Sequence, residues 1–225
     1  MLQAARRRLA RSHAMQETHE REANVAVASE DQARADFYAL LARLYAAAPD
    51  AALLSSIAAC DELPADAESE DGRALADAWR KLIAASSAMD PAAAADEYQI
   101  LFVGVGKSEV SVHASAYVKS PGRTPLIEIR ASLAKLGLAR QSGVNVYEDH
   151  LATVCETMRA LITGAGQGEP FAFAEQREFF ESHVEPWVFD CCTAIQNSPI
   201  ANYYRRVAEF SQLFMAIERD SFAIE

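Results

Sequence analysis

The sequence predicts an all-α fold, a single globular, bundle-like domain of about eight or nine helices. Three observations carry that reading. Apolar residues recur at helical spacing in segment after segment. A capping residue is followed by proline at three places, Asp90-Pro91, Thr124-Pro125 and Ser198-Pro199. Alternating strand patterns are scarce, and no repeat of solenoid period is visible.

Taken in order, Asp31 to Ala48 places Phe37, Leu40, Leu41, Leu44 and Tyr45 on one helical face, and Pro49-Asp50 ends it. A short Ala/Leu helix runs to about Ala59. Residues 61–71 are acidic and loop-like. Leu75, Trp79, Leu82 and Ile83 mark a third helix. Each of the three capped prolines then opens another, because the cap oxygen accepts an orphan amide and proline has no amide to lose. The first of these carries Tyr98, Leu101 and Phe102 to about Val103. The second runs through Leu136 and stops at Gly137. The third carries Tyr203, Tyr204, Val207, Phe210, Leu213, Phe214 and Ile217. Residues 147–163 form a further helix, closed by the glycine-rich stretch 164–168. Residues 172–187 read as one helix with Phe179, Phe180, Val184 and Trp187 on an aromatic face, breaking at Pro186. Residues 1–30 read as a disordered N-terminal tail, with the helical domain over 31–225.

Composition narrows the function. Of 225 residues, 32 are acidic and 21 basic, a net charge of −11. An acidic body is a poor phosphate binder, which excludes a nucleic-acid grip. No run reaches the roughly 20 apolar residues of a membrane span. The Arg6-Arg7-Arg8 start lacks the apolar stretch of a secretory signal. The four cysteines form no CxxC and no disulfide framework, which suits a reducing, cytoplasmic compartment.

Catalytic motifs are wanting. Gly104-Val-Gly-Lys-Ser108 lacks the first glycine of a phosphate loop and reads as a turn ending the preceding helix. Gly164-Ala-Gly-Gln-Gly168 follows a helix rather than a strand, unlike a dinucleotide fingerprint. Glu148-Asp149-His150 is the one compact titratable cluster. It reads either as the acidic first turn of a helix or as a binding site. Glu-x-x-His and His-Glu-x-x-His spacings are absent, so no metal ligands, cofactor or catalytic residues are assigned. A small metal-dependent enzyme built on this cluster is the alternative.

Five segments in order carry a resemblance. They are Glu97-Tyr-Gln-Ile-Leu-Phe-Val-Gly104, His113-Ala-Ser-Ala-Tyr-Val118, Glu148-Asp-His-Leu151, Glu178-Phe-Phe-Glu-Ser-His-Val-Glu-Pro-Trp187, and Tyr203-Tyr204 with its aromatic helix. Across about residues 31–218 the chain resembles the TorD/DmsD/NarJ family of redox-enzyme maturation chaperones. The resemblance implies an all-α fold without catalysis. It implies binding to the twin-arginine signal peptide, or the apo catalytic subunit, of a molybdopterin oxidoreductase, with export delayed until the cofactor is inserted. The family's Asp-His pair falls on Asp149 and His150, and its Ser-x-Tyr on Ser115 and Tyr117. Where the family usually has prolines before these pieces, Ser111-Val112 and Val146-Tyr147 stand here.

A receptor for paired guanidinium groups and an apolar stretch needs carboxylates beside a groove, since arginine pairs bidentately with carboxylates. Glu148, Asp149, Glu109 and Glu97 are the candidate acids, with Asp149 accepting from arginine and His150 orienting it. Tyr117, Phe102 and Trp187 are the candidate walls. The long 104–123 and 164–168 segments are sufficient to permit a homodimer by helix exchange.

Overall fold

A computed structural model describes residues 30–64, 69–104, 108–119, 122, 124–139, 146–164 and 168–224. The Arg-rich tail, Gly106 and Lys107, and the middle of the 164–168 stretch lie outside the described residues. The described residues form nine α-helices and no strand, the all-α class that the sequence predicts. They are α1 (30–46), α2 (Ala51–Ala58), α3 (Glu70–Ala88), α4 (Pro91–Tyr98), α5 (Pro125–Lys135), α6 (Leu151–Thr163), α7 (Phe173–His183), α8 (Glu185–Asn197) and α9 (Tyr203–Ile224). A π-turn, Gln99–Val103, continues α4, and a 3₁₀ turn covers Ala114–Ala116.

The longest helix, α9, spans 22 residues, or about 33 Å at 1.5 Å per residue. It packs most extensively on α3 and α8. Its apolar face meets α1 and α3 through an aromatic nest. Phe37 lies 5.1 Å from Phe210 and 5.6 Å from Trp79, edge to face, a preferred arrangement for ring quadrupoles. A second nest joins Tyr45, Tyr98, Phe102 and Tyr204, with Phe102 and Tyr204 4.8 Å apart. Phe102 is thus packed against the core.

Aspartate side chains cap two helix starts, and at one of them, Asp90, the sequence predicts the cap. Asp50 accepts from the Leu53 amide at 2.7 Å, and Asp90 accepts from Ala92 and Ala93, both at 3.0 Å, with Pro91 next to it. Gly104, at φ +64°, ends the π-turn as expected. Gly137, at φ +69°, ends α5: its amide donates to Ala134, and that of Leu138 donates to Leu133. This is the Schellman closure, and it needs a left-handed residue.

One cap and three boundaries differ from the expectation. Thr124 does not cap α5 with its side chain; its amide instead donates to Glu128 Oε1 at 3.2 Å. Ser198-Pro199 opens no helix. Ser198 Oγ accepts from Ile200 in a turn, and α9 starts at Tyr203. The 172–187 segment is two helices, parted at Val184 (φ −110°, ψ −60°), and Pro186 sits in the first turn of α8. The Trp187 indole spans the break by donating to His183 O at 2.7 Å. Finally, α6 starts at Leu151 rather than 147, because residues 148–150 are drawn into pairing with the 112–114 segment.

Candidate functional site

The start of α6 and the 108–119 loop are joined through one short antiparallel pairing. The Leu151 amide donates to Val112 O at 2.8 Å, and the Ala114 amide donates to Asp149 O at 2.9 Å. His113 and His150 face each other across it, rings 4.8 Å apart and nearly perpendicular. This backbone clamp explains why Glu148 and Asp149 lie outside the helix rather than in its first turn.

Asp149 completes the clamp with its side chain. Its carboxylate accepts from the Ser115 hydroxyl, from the Ser115 amide at 3.2 Å and from His113 Nδ1 at 3.2 Å. Burial alone would raise its pKa. The hydrogen bonds from His113 and Ser115, and the nearby imidazole, outweigh burial and bring it down to about 2. Asp149 is 2% exposed and both its oxygens are engaged. In the structure these contacts tie the 108–119 loop to the start of α6.

His150 is the N-cap of α6. Its Nδ1 accepts from the Ala152 amide at 3.1 Å, so the neutral ring carries its proton on Nε2. Burial, then the neighbouring His113, lower its pKa to about 4, against the opposing pull of Asp149. The cap and the low pKa agree, since a protonated Nδ1 has no lone pair to offer.

Tyr117 and Trp187 back the loop. The Tyr117 hydroxyl donates to Ser111 O at 2.7 Å, and its ring stacks on Trp187 at 6.0 Å and 24°. Burial raises the Tyr117 phenol. Trp187 is 1% exposed, so it forms the floor beneath Tyr117 rather than a groove wall. Behind it, Cys191 Sγ also reaches Ser111 O, and burial pushes that thiol up to about 12. Cys155 and Cys192 are buried as well, and Cys60 is exposed.

The other acids divide. Glu148 meets Arg130 of α5 at 2.9 Å, with its side chain 11% exposed and that of Arg130 48%. Glu109 is exposed on the same loop. Glu97 is not available at all. Its carboxylate accepts from the amides of Asn202, Tyr203 and Tyr204 at 2.8–3.0 Å and caps α9 from α4.

A crevice of about 10 Å³ lies among Val118, Ile129, His183 and Trp187. A cavity of about 400 Å³ opens between α2, the end of α3 and the start of α4. The apolar character near Glu148 comes from two exposed side chains, Tyr147 (57%) and Ile127 (64%). Ile127 precedes Arg130 by three residues and so shares its face of α5.

Among the described residues, no group of three or more His, Cys, Asp or Glu side chains is arranged to hold a metal ion. No described helix is long and apolar enough to cross a membrane.

Sequence reasoning missed two contributors, His113 and Arg130. His113 was legible as part of the His-Ala-Ser-Ala-Tyr segment; Arg130 left no signal beyond its charge. No curated protein matches the chain. The family described as nitrate reductase delta subunit matches residues 66–193, more than half the chain, from the approach to α3 to within α8 and including the whole clamp. With its all-helical architecture, the chain belongs to the nitrate reductase delta subunit family, the NarJ/TorD-type chaperones of redox-enzyme maturation.

Proposed function

We propose that this chain is a cytoplasmic chaperone that binds the twin-arginine signal peptide, or the apo catalytic subunit, of a molybdopterin oxidoreductase and delays its export until the cofactor is in place. The family works with molybdoenzyme subunits and is not itself catalytic. One observation carries the peptide reading: Glu148, a largely buried carboxylate, already holds a guanidinium, beside the exposed apolar Tyr147 and Ile127. A cationic, partly apolar leader carries the same two chemistries.

In this reading Glu148 receives a leader arginine and Glu109 supplies a second carboxylate from the loop. Asp149, Ser115 and His113 hold the loop in register with α6. His150 caps the helix, and Tyr117 on Trp187 gives the loop a rigid base. The acidic body raises the encounter rate with a basic leader.

The test is calorimetric titration of the full chain with a synthetic peptide carrying adjacent arginines followed by a leucine-rich stretch. A second peptide has lysines in place of the arginines. Saturable binding of the first, weakened in the second, is expected, because lysine lacks the planar fork. Equal affinity for both, or no binding of either, overturns the reading.

A further inference from the structure

Arg130 projects from the exposed face of α5 onto Glu148, with Nη2 2.9 Å from Oε2. The two partners are unequal. Glu148 is held beside the clamp and nearly buried, whereas the Arg130 side chain is half exposed. Hydrogen bonding to Glu148, and then the Glu148 charge, raises Arg130 above its ordinary pKa. Glu148 is thus the fixed half of the pair and Arg130 the exchangeable half. An Arg130 head released from Glu148 turns out into water, whereas the Glu148 carboxylate stays in place.

We propose that Arg130 is a resident occupant of the guanidinium site on Glu148, which an arginine of a bound peptide must displace. This rests on the peptide reading above and assigns that site a competitor within the same chain. Arg130 shields Glu148 when no client is present, and it sets the affinity threshold a client must exceed. The exchange swaps one charge-assisted contact for another. A client therefore gains net affinity only if it adds something Arg130 lacks: a second guanidinium for Glu109, or apolar contact with Tyr147 and Ile127. A lone exposed arginine on an unrelated protein offers neither.

The test compares the full-length protein with Arg130→Gln, Glu148→Gln and the double variant, titrated with the adjacent-arginine peptide. Circular dichroism checks each fold. Arg130→Gln is expected to tighten binding roughly two- to fivefold, the range set by losing a surface ion pair. Glu148→Gln is expected to weaken it. The double variant should match Glu148→Gln, because the competitor matters only while its carboxylate is present. Unchanged or weaker binding by Arg130→Gln, with the parent protein binding normally, overturns this proposal and leaves the peptide reading standing. Failure of the parent and every variant to bind the peptide overturns both.

Discussion

Glu97 on α4 accepts the backbone amide of Tyr204 on α9 at 2.8 Å, across 107 positions of sequence. The same carboxylate takes the amides of Asn202 and Tyr203. These are orphan donors of a helix start that no neighbouring side chain serves. Glu97→Ala is expected to cost roughly 2–3 kcal/mol, the loss of a cap plus buried amides left unsatisfied. Glu97→Gln, which keeps an acceptor oxygen, should cost less. Urea unfolding of both variants measures this, and equal stabilities would contradict the capping role.

Asp149 latches the 108–119 loop to the start of α6 through Ser115 and His113. An asparagine offers one acceptor oxygen where the carboxylate offers two. Asp149→Asn is therefore expected to destabilise by about 1–3 kcal/mol. It should also speed hydrogen exchange at the Ser115 amide and weaken peptide binding. Ser115→Ala should reproduce part of each effect. A variant with a fully protected loop and lost binding would instead make Asp149 a direct contact.

Acid should loosen the clamp in two stages. His150 is neutral in the fold, with a pKa near 4 against 6.5 for the ordinary group. The unfolded chain thus binds more protons between those values, and the His150 contribution, complete above 6.5, is lost as pH falls toward 4. Asp149, lowered from 3.8 to about 2, loses its contribution below that window, between 3.8 and 2. From pH 7 to 5 the His150 loss is about 1–2 kcal/mol. His150→Asn keeps a good N-cap without the titration. The pH 7 to 5 decline in urea stability should shrink in this variant. His113 and Asp149, which face His150, remain in both proteins.

A second network ties α1 to α9 away from the clamp. Arg34 donates from Nε and Nη2 to Glu218 at 2.7 and 3.0 Å, and Tyr38 adds a bond to the same carboxylate at 3.0 Å. The Arg34 guanidinium also sits over the Phe173 and Phe222 rings. Arg34→Met strands a buried carboxylate and is expected to cost roughly 2–4 kcal/mol. Adding Glu218→Leu should recover much of that, which a thermal melt of the double variant would reveal. Peptide binding should be unaffected by either change.

The helical content was legible because its signals are local. The apolar periodicity of α1 and α3, the Asp50 and Asp90 caps, and the glycine stop at 137 each involve residues within one or two turns of each other. Two of the misread boundaries share a cause. At Ser198 and residue 147 the local signal was present, but a distant partner, Glu97 in one case and the 112–114 segment in the other, supplied the decisive hydrogen bonds. In the candidate site the Glu148-Asp149-His150 run was visible as a cluster, and Ser115 and Tyr117 as part of a segment. Their roles were not visible, because one carboxylate looks like another until its donors are known.

By itself the sequence determined the all-α class and most helix spans, since helical spacing and caps are properties of neighbours along the chain. Only the tertiary structure decided that Glu97 serves a helix start more than a hundred residues away, that Asp149 turns inward to Ser115 and His113, and that Arg130 lies on Glu148. Each pairing joins elements brought together by burial of the aromatic core. A charged group's role follows from whichever partner that packing sets against it, and no sequence spacing encodes that choice.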